Sequence, residues 1–312
     1  MASSFTVVVP AFNAARLIGD TLEAIRRQTL PPQQVIVVDD GSTDGTGDLV
    51  RELFPEVSCV RVANSGAGLA RRRAIDQCQS DWVALCDSDD VWQPDHLERK
   101  ARLVEACPAA ALLFADCYSF GKQAVEGHSL FSEAPAGWFE RYTVDLQGDF
   151  FRLTDPYRAI LAFNPAYPSG LAFRLDAYRR MGGFLPKYSR WIGEDSEFIR
   201  RFLALPDIVV AGDMAQTWGY RRHGGNTSAT RWKNFHCKAL VLQEHLDLAV
   251  VPTAHADEVR AEVRRALGEA FDIAFWDRSR RGTLELYGKL PLAEKTLKRR
   301  LKAVFARLIM AN

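Results

Sequence analysis

Carboxylates end two apolar runs in this chain, and their placement points to metal and phosphate chemistry. Asp39-Asp40 follows Val35-Ile36-Val37-Val38, and Asp87-Ser88-Asp89-Asp90 follows Trp82-Val83-Ala84-Leu85-Cys86. Short apolar runs bounded by turn signals read as buried strands. The acids then fall at the carboxyl edge of a sheet, where open α/β folds bind ligands. Clustered negative charge needs a cation, and a divalent ion bridging phosphates is the usual solution. Alternate residues leaving a strand can turn toward one point. Asp87 and Asp89 could therefore give hard oxygen ligands to Mn²⁺ or Mg²⁺ and leave positions for phosphate oxygens.

Two more clusters lie downstream. Gly193-Glu194-Asp195 precedes an apolar helical pattern through Phe198, Ile199 and Phe202. Acidic residues in a first turn stabilise any helix by about 0.3–1 kcal/mol, so capping and general-base roles both fit. His223 closes Tyr220-Arg221-Arg222-His223 and is followed by Gly224-Gly225. That composition suits a grip on diphosphate. Upstream, Asp39-Asp40-Gly41-Ser42-Thr43-Asp44-Gly45 fits a tight turn whose Thr43 or Asp44 caps the next helix. A carboxylate there could also accept a hydrogen bond from a nucleobase N–H. Asn64-Ser65-Gly66-Ala67-Gly68-Leu69-Ala70-Arg71 is a glycine-containing loop entering a helix, and both the helix start and the arginine attract phosphate. It is not G-x-G-x-x-G, because Arg71 stands at the third glycine position.

The elements that must position these residues alternate. Strands are expected at 5–10, 35–38, 57–62, 82–86 and 110–114, with helices at 14–28, 44–54, 69–78 and 94–106 between them. Such alternation implies an α/β fold with a doubly wound, mostly parallel sheet. From 118 to 168 the pattern weakens, and aromatics, Gly and Pro predict a loop-rich insert. A helix at 195–204 and a strand at 209–212 follow. After Asn226 helices are expected at about 232–249, 256–277 and 293–310, with the hinge Val251-Pro252-Thr253 as a candidate boundary.

Composition sets bounds. The 312 residues are 47% hydrophobic and 25% charged, as in an ordinary globular protein. A net charge of +1 gives no electrostatic case for nucleic acid. Six cysteines lack any C-x-x-C spacing and read as reduced structural thiols of a cytosolic protein. Ser3-Ser4 leads into a strand without a basic or apolar leader, and no run reaches the ~18 apolar residues of a spanning helix. The last expected helix differs. Leu297, Leu301, Val304, Phe305, Leu308 and Ile309 share one face, among Lys295, Lys298, Arg299, Arg300, Lys302 and Arg307. It could dock on the rest of the chain or lie on an anionic membrane through residues 293–310.

The four clusters in this order resemble the inverting family 2 glycosyltransferases with a GT-A fold. The likeness covers roughly residues 4–230. It includes Val7-Val8-Val9-Pro10-Ala11-Phe12-Asn13 at the start, and Ser169-Gly170-Leu171-Ala172-Phe173-Arg174 with Gly182-Gly183-Phe184 before Glu194. The resemblance implies a catalytic nucleotide-sugar-binding domain over 1–230 and a helical extension over 231–312. It implies that Asp195 is the catalytic base, with Glu194 beside it. Asp40 would read the base of a nucleotide-diphosphate sugar, a UDP-sugar above others, with Asp39, Pro10 and Phe12 nearby. Arg71 would contact the nucleotide. Asp89 would be the principal ligand of Mn²⁺ or Mg²⁺, Asp87 would reach ribose or metal, and His223 would touch diphosphate or metal. The acceptor would be a glycan or a lipid-linked carrier, in bacterial surface polysaccharide or glycolipid assembly at the inner face of the plasma membrane. Phe12 stands where that family commonly has tyrosine, and Arg72 where it has asparagine. Alternatives are a nucleotide-sugar-binding module without turnover and a metal-dependent nucleotidyltransferase. The latter expects a basic glycine-rich loop after the first strand, where Pro10-Ala11-Phe12-Asn13 stands instead. A NAD-dependent oxidoreductase expects the absent G-x-G-x-x-G.

Overall fold

The computed structural model describes residues 3–224 and 230–310. They fall into two compact units. The first runs to Arg190 and resumes at Phe198–Gly224; the second comprises Trp191–Glu197 and the chain after Gly224.

The first unit is built on one sheet. In chain order its elements are β1 (Phe5–Ala11), α1 (Ile18–Arg26), β2 (Gln34–Asp39), α2 (Thr46–Leu53), β3 (Ser58–Arg61) and α3 (Ala67–Ile75). Then come β4 (Trp82–Leu85), β5 (Val91–Trp92), α4 (His96–Ala106), β6 (Ala110–Phe120), α5 (Trp138–Tyr142), β7 (Thr143–Asp145) and β8 (Phe150–Leu153). The last are α6 (Pro156–Ala162), β9 (Ala172–Arg174), α7 (Leu175–Met181), the part of α8 (Glu194–Leu203) from Phe198 onward, and β10 (Val209–Arg221). The strand order is β3-β2-β1-β4-β9-β6-β10-β8-β7, with β5 pairing β10.

Strand direction positions the chemistry. β1 lies between β2 and β4 and runs parallel to both, so Val8 stands beside Ile36 on one side and Leu85 on the other. The acidic turns after β2 and β4 therefore leave the same edge, flanking Pro10 and Phe12. β9 runs antiparallel to both β4 and β6, and β10 is parallel to β6. The carboxyl end of β10, with Tyr220 and Arg221, thus arrives at that edge too. β1 and β4 are buried throughout, which is why, Thr6 apart, their sequences are apolar. Each fully buried Val, Leu or Ile contributes about 1.5–3 kcal/mol.

The structure departs from the sequence-based expectation in places. Residues 118–168 are not simply a loop-rich insert: β6 extends to Phe120, and β7 and β8 form an antiparallel hairpin that lengthens the sheet beside β10. The strand expected at 209–212 continues to Arg221 through register shifts after Val209, Asp213 and Gln216.

The second unit holds α9 (Arg231–Asp247), α10 (Ala256–Trp276), α11 (Arg280–Lys289) and α12 (Leu297–Leu308). Val241, Leu242, Val259, Val263, Ala270, Phe271 and Leu286 form its core. Val251-Pro252-Thr253 joins α9 to α10 inside this unit and divides nothing. α11 was not expected from the sequence, because only Gly282, Thr283 and Leu286 of its residues are buried. α12 docks by one face: Ala303 and Ala306 are buried, and Lys302 and Arg299 bond to Asp272 of α10 at 2.6 and 3.0 Å.

Candidate active site

The turn after β2 holds its acids inward. Asp39 is 1% exposed and Asp40 3%. Asp39 Oδ1 accepts the Ser42 amide at 2.9 Å, while its Oδ2 is buried without a hydrogen-bond donor, 3.5 Å from Arg61 Nε. That oxygen lies against the first turn of α2, where a side chain at Gly47 would collide with it. Asp40 grips the loop before α3. Its Oδ1 accepts from the Ser65 amide (2.8 Å) and hydroxyl (2.9 Å), and its Oδ2 accepts from the Gly66 amide (2.7 Å). Gly66 has φ +92° and packs against Ser189 O, so no side chain fits there. Pro10 is buried in β1, and Phe12 projects at the edge, 53% exposed.

Arginines 71–73 do not face solvent freely. Arg71 is 3% exposed and donates to Asp87 Oδ1 at 2.6 Å. Arg72 donates to the carbonyls of Phe184 and Gly182, and Arg73 to Ser65 Oγ. The helix they share turns them inward because Ser65, Asp87 and the Gly182–Phe184 segment surround it.

The second acidic turn is where charge is most crowded. Asp89 Oδ2 lies 2.9 Å from His223 Nε2, and both side chains are about one-third exposed. Burial, then the neighbouring Asp87 charge, pushes the Asp89 carboxyl up, and His223 pulls it back. Asp90 is pushed well up by burial and then by Asp89 and Asp87. Arg221 Nε donates to the Asp89 carbonyl at 2.6 Å, clamping the turn's backbone. Sequence reasoning has Asp90 and Arg221 inside its acidic and basic clusters but gives neither a role of its own. Ser169, within the segment that carries the likeness, accepts the Asp87 amide on Oγ at 3.0 Å and donates to Asp90 at 2.6 Å.

The structure thus brings together Arg71 with Asp87, and Asp89 with His223. Asp87, Asp89 and His223 do not stand as a preformed three-ligand cage: among the described residues no three His, Cys, Asp or Glu side chains are grouped to hold a metal ion. Arg71 draws Asp87 one way while His223 draws Asp89 another. The donor set still fits a divalent ion that takes most of its ligands from elsewhere. It has hard carboxylate oxygens, an imidazole and three carboxyl groups crowded into one turn.

Glu194 and Asp195 belong to the second unit. They open α8, and Asp195 Oδ1 accepts the Ser196 amide at 2.7 Å. Two residues on, Glu197 lies buried 3.3 Å from His245 Nε2 on α9. Phe198, where the first unit resumes, stacks on Phe184 of that same unit, with centroids 4.2 Å apart. Gly224 follows His223; Gly225 and Asn226 lie outside the described residues.

A mixed, mostly parallel sheet with acidic turns at its carboxyl edge agrees with the expected GT-A fold. The sequence profile described as "Glycosyl transferase family 2" matches residues 6–162, and the chain belongs to that family. It is 36% identical over 114 residues to the amylovoran biosynthesis glycosyltransferase AmsB of Erwinia amylovora, covering 33% of this chain and 36% of that protein. The first curated relatives are matched over only 36–61% of their own lengths. Among solved structures, S. aureus TarS 1-349 superimposes with a TM-score of 0.62 at 19% identity, covering 97% of this chain and 91% of TarS. TarS has also been solved with UDP and with UDP-GlcNAc. The mannosyltransferase PcManGT of Pyrobaculum calidifontis, solved with GDP-Man and Mn²⁺, gives 0.59 at 18% identity, covering 98% of this chain and 85% of PcManGT. At these identities the structures establish the fold alone.

Proposed function

We propose that the chain is an inverting glycosyltransferase. It moves a sugar from a nucleoside diphosphate sugar, a UDP-sugar before others, to a hydroxyl of a glycan or lipid-linked acceptor in bacterial surface polysaccharide or glycolipid assembly. The observation that carries this reading is the paired arrangement at the end of β4, Arg71 on Asp87 and His223 on Asp89. It offers two carboxylates, a guanidinium and an imidazole at the edge where the family's sheet takes its ligand. Residues 1–230 are the catalytic domain in this reading and 231–312 its helical extension.

Each residue then has a task. Phe12 and Pro10 support the nucleobase, and Asp39 and Asp40 set the polar edge that reads it. Asp40 also holds the loop that delivers Arg71. Arg71 and His223 contact the nucleotide and its diphosphate, and Asp87 and Asp89 would hold Mn²⁺ or Mg²⁺. When bound, that ion offsets the negative charge of the departing diphosphate. An alcohol is a weak nucleophile at neutral pH, so Asp195 accepts the acceptor hydroxyl's proton as the new C–O bond forms on the face opposite the leaving group. Glu194 stands beside it.

The extension adds a surface. Leu297, Leu301, Val304, Phe305, Leu308 and Ile309 are all exposed although α12 is docked, so docking and membrane contact use different faces. Lys298 on one side of this stripe and Arg300 and Arg307 on the other are exposed as well. An apolar stripe between cationic flanks suits an anionic lipid surface, which would hold the enzyme peripherally on the cytoplasmic side. No described helix is long and apolar enough to cross a membrane.

Release of nucleoside diphosphate from a panel of nucleotide sugars, with Mn²⁺ or Mg²⁺ and a polyprenyl-linked or glycan acceptor, tests the reading. Metal-dependent release from one donor is expected. Donor binding without transfer or hydrolysis would instead favour a binding module.

A further inference from the structure

Asp90 ends the acidic turn but faces away from the edge, 2% exposed. Both of its carboxylate oxygens are engaged. Oδ2 accepts from Ser169 Oγ at 2.6 Å, and Oδ1 accepts the Arg221 backbone amide at 2.9 Å. Its own carbonyl accepts Thr21 Oγ1 at 2.7 Å. Ser169 is 1% exposed and takes the Asp87 amide at 3.0 Å, while its carbonyl takes Trp92 Nε1 at 2.7 Å. One buried carboxylate thus joins three distant stretches of chain: the Asp87–Asp90 turn, the turn Pro168–Gly170, and the end of β10, two residues before His223.

Taking a charged carboxylate out of water costs several kcal/mol that its partners must offset. Asp90 also sits beside two further carboxylates, which increases that cost. Stability alone therefore gives no reason for an acid here. Geometry does. Ser169 Oγ already accepts one hydrogen, from Asp87, so its own proton needs an acceptor; the Arg221 amide needs another. Only a group that accepts on both atoms fits both neighbours. An Asn at this place would set its NH₂ against one of the two donors.

We propose that Asp90 is a positioning residue. Through Ser169 and Arg221 it fixes the acidic turn against the end of β10, and so sets the contact between the Asp89 carboxylate and the His223 imidazole. Asp90 itself touches no substrate. This rests on the proposed role of that pair in gripping the donor's diphosphate.

The test compares wild type with Asp90→Asn and Ser169→Ala by two readouts on the full chain. The first needs no ligand: the His223 imidazole ¹⁵N resonances, assigned through His223→Gln, together with the thermal midpoint. In Asp90→Asn the His223 resonances should move toward those of a histidine without a carboxylate partner, with the midpoint within a few degrees of wild type. The second is UDP affinity with Mn²⁺, expected to fall about tenfold in Asp90→Asn and less in Ser169→Ala. The double variant should lose no more than Asp90→Asn alone, because one network is being cut twice. Unchanged His223 resonances in both variants would overturn the proposal. So would affinity losses that simply add, or that follow a fallen thermal midpoint. If wild type bound no UDP with any divalent ion, the functional reading would fall, and the His223 resonances would still decide the positioning role.

Discussion

Between Asp87 and Asp90 three carboxylates crowd into one turn and each is bonded within the fold, whereas along α12 the cations Lys298, Arg300 and Arg307 are exposed beside exposed leucines. Both regions bear charge, and they carry different meaning. Held charge is expensive and points inward to a definite geometry: Arg71, His223, Ser169 and Arg221 each fix one carboxylate or its backbone. Exposed charge costs little and fixes nothing, so its meaning comes from the apolar stripe it borders. The first pattern suits recognition of one small, highly charged ligand. The second suits an extended surface without fixed contact points.

Substitutions can break that contrast. The largest effect should come from Asp195→Asn. A positioned base contributes about 10²–10⁴-fold, so turnover should fall by that factor while donor affinity, read by calorimetry, stays near wild type. Normal turnover would remove Asp195 from the mechanism. Next comes Arg71→Ala, which leaves Asp87 without the cation it meets at 2.6 Å. Donor affinity should drop by about tenfold or more, or ~1.4 kcal/mol, in equilibrium binding.

On α12 the effect should be smaller and spread out. Each cation near an anionic surface contributes about 1 kcal/mol. Charge reversal at Lys298, Arg300 or Arg307 should therefore weaken vesicle flotation several-fold per site, and Leu301→Asp with Phe305→Asp should abolish it. None should alter donor affinity. Flotation insensitive to all of them would leave the stripe without a lipid role.

A last effect concerns stability rather than binding. Lys100 is buried behind the turn at Pro168–Gly170 and donates to Gly170 O at 2.7 Å; burial lowers it from 10.5 to about 7. Between those values the unfolded chain binds a proton that the folded chain does not, so this group makes stability rise with pH across pH 7–10.5. Its slope is at most about 1.4 kcal/mol per pH unit, and below pH 7 it is flat. Denaturant titrations of Lys100→Met should lack this component.

The same contrast governs how legible the chain was. β1, β2 and β4 are readable because strands covered on both faces carry apolar runs. The acidic turns were readable because charge directly after such runs is conspicuous. β9 was not read: it is three residues long and continuous with the helix that follows it. The outer half of β10 was hidden by polar Gln216 and Thr217 among its register shifts. The partnership of Asp90 with Ser169 spans 79 positions, and no local pattern announces a bond at that separation. Arg71 was noticed for its charge, but its burial depends on Asp87, which only the sheet brings near. The exposed face of α12 was legible from helical spacing alone, and its docking on Asp272 was not.

The most direct test of the central claim is UDP binding to wild type and to Asp89→Ala, each titrated with Mn²⁺ and with chelator. The account predicts that wild-type affinity requires the cation and that Asp89→Ala binds at least about tenfold more weakly with Mn²⁺, with no response to adding it. Equal UDP affinity in both proteins, or wild-type binding indifferent to the metal, would contradict it.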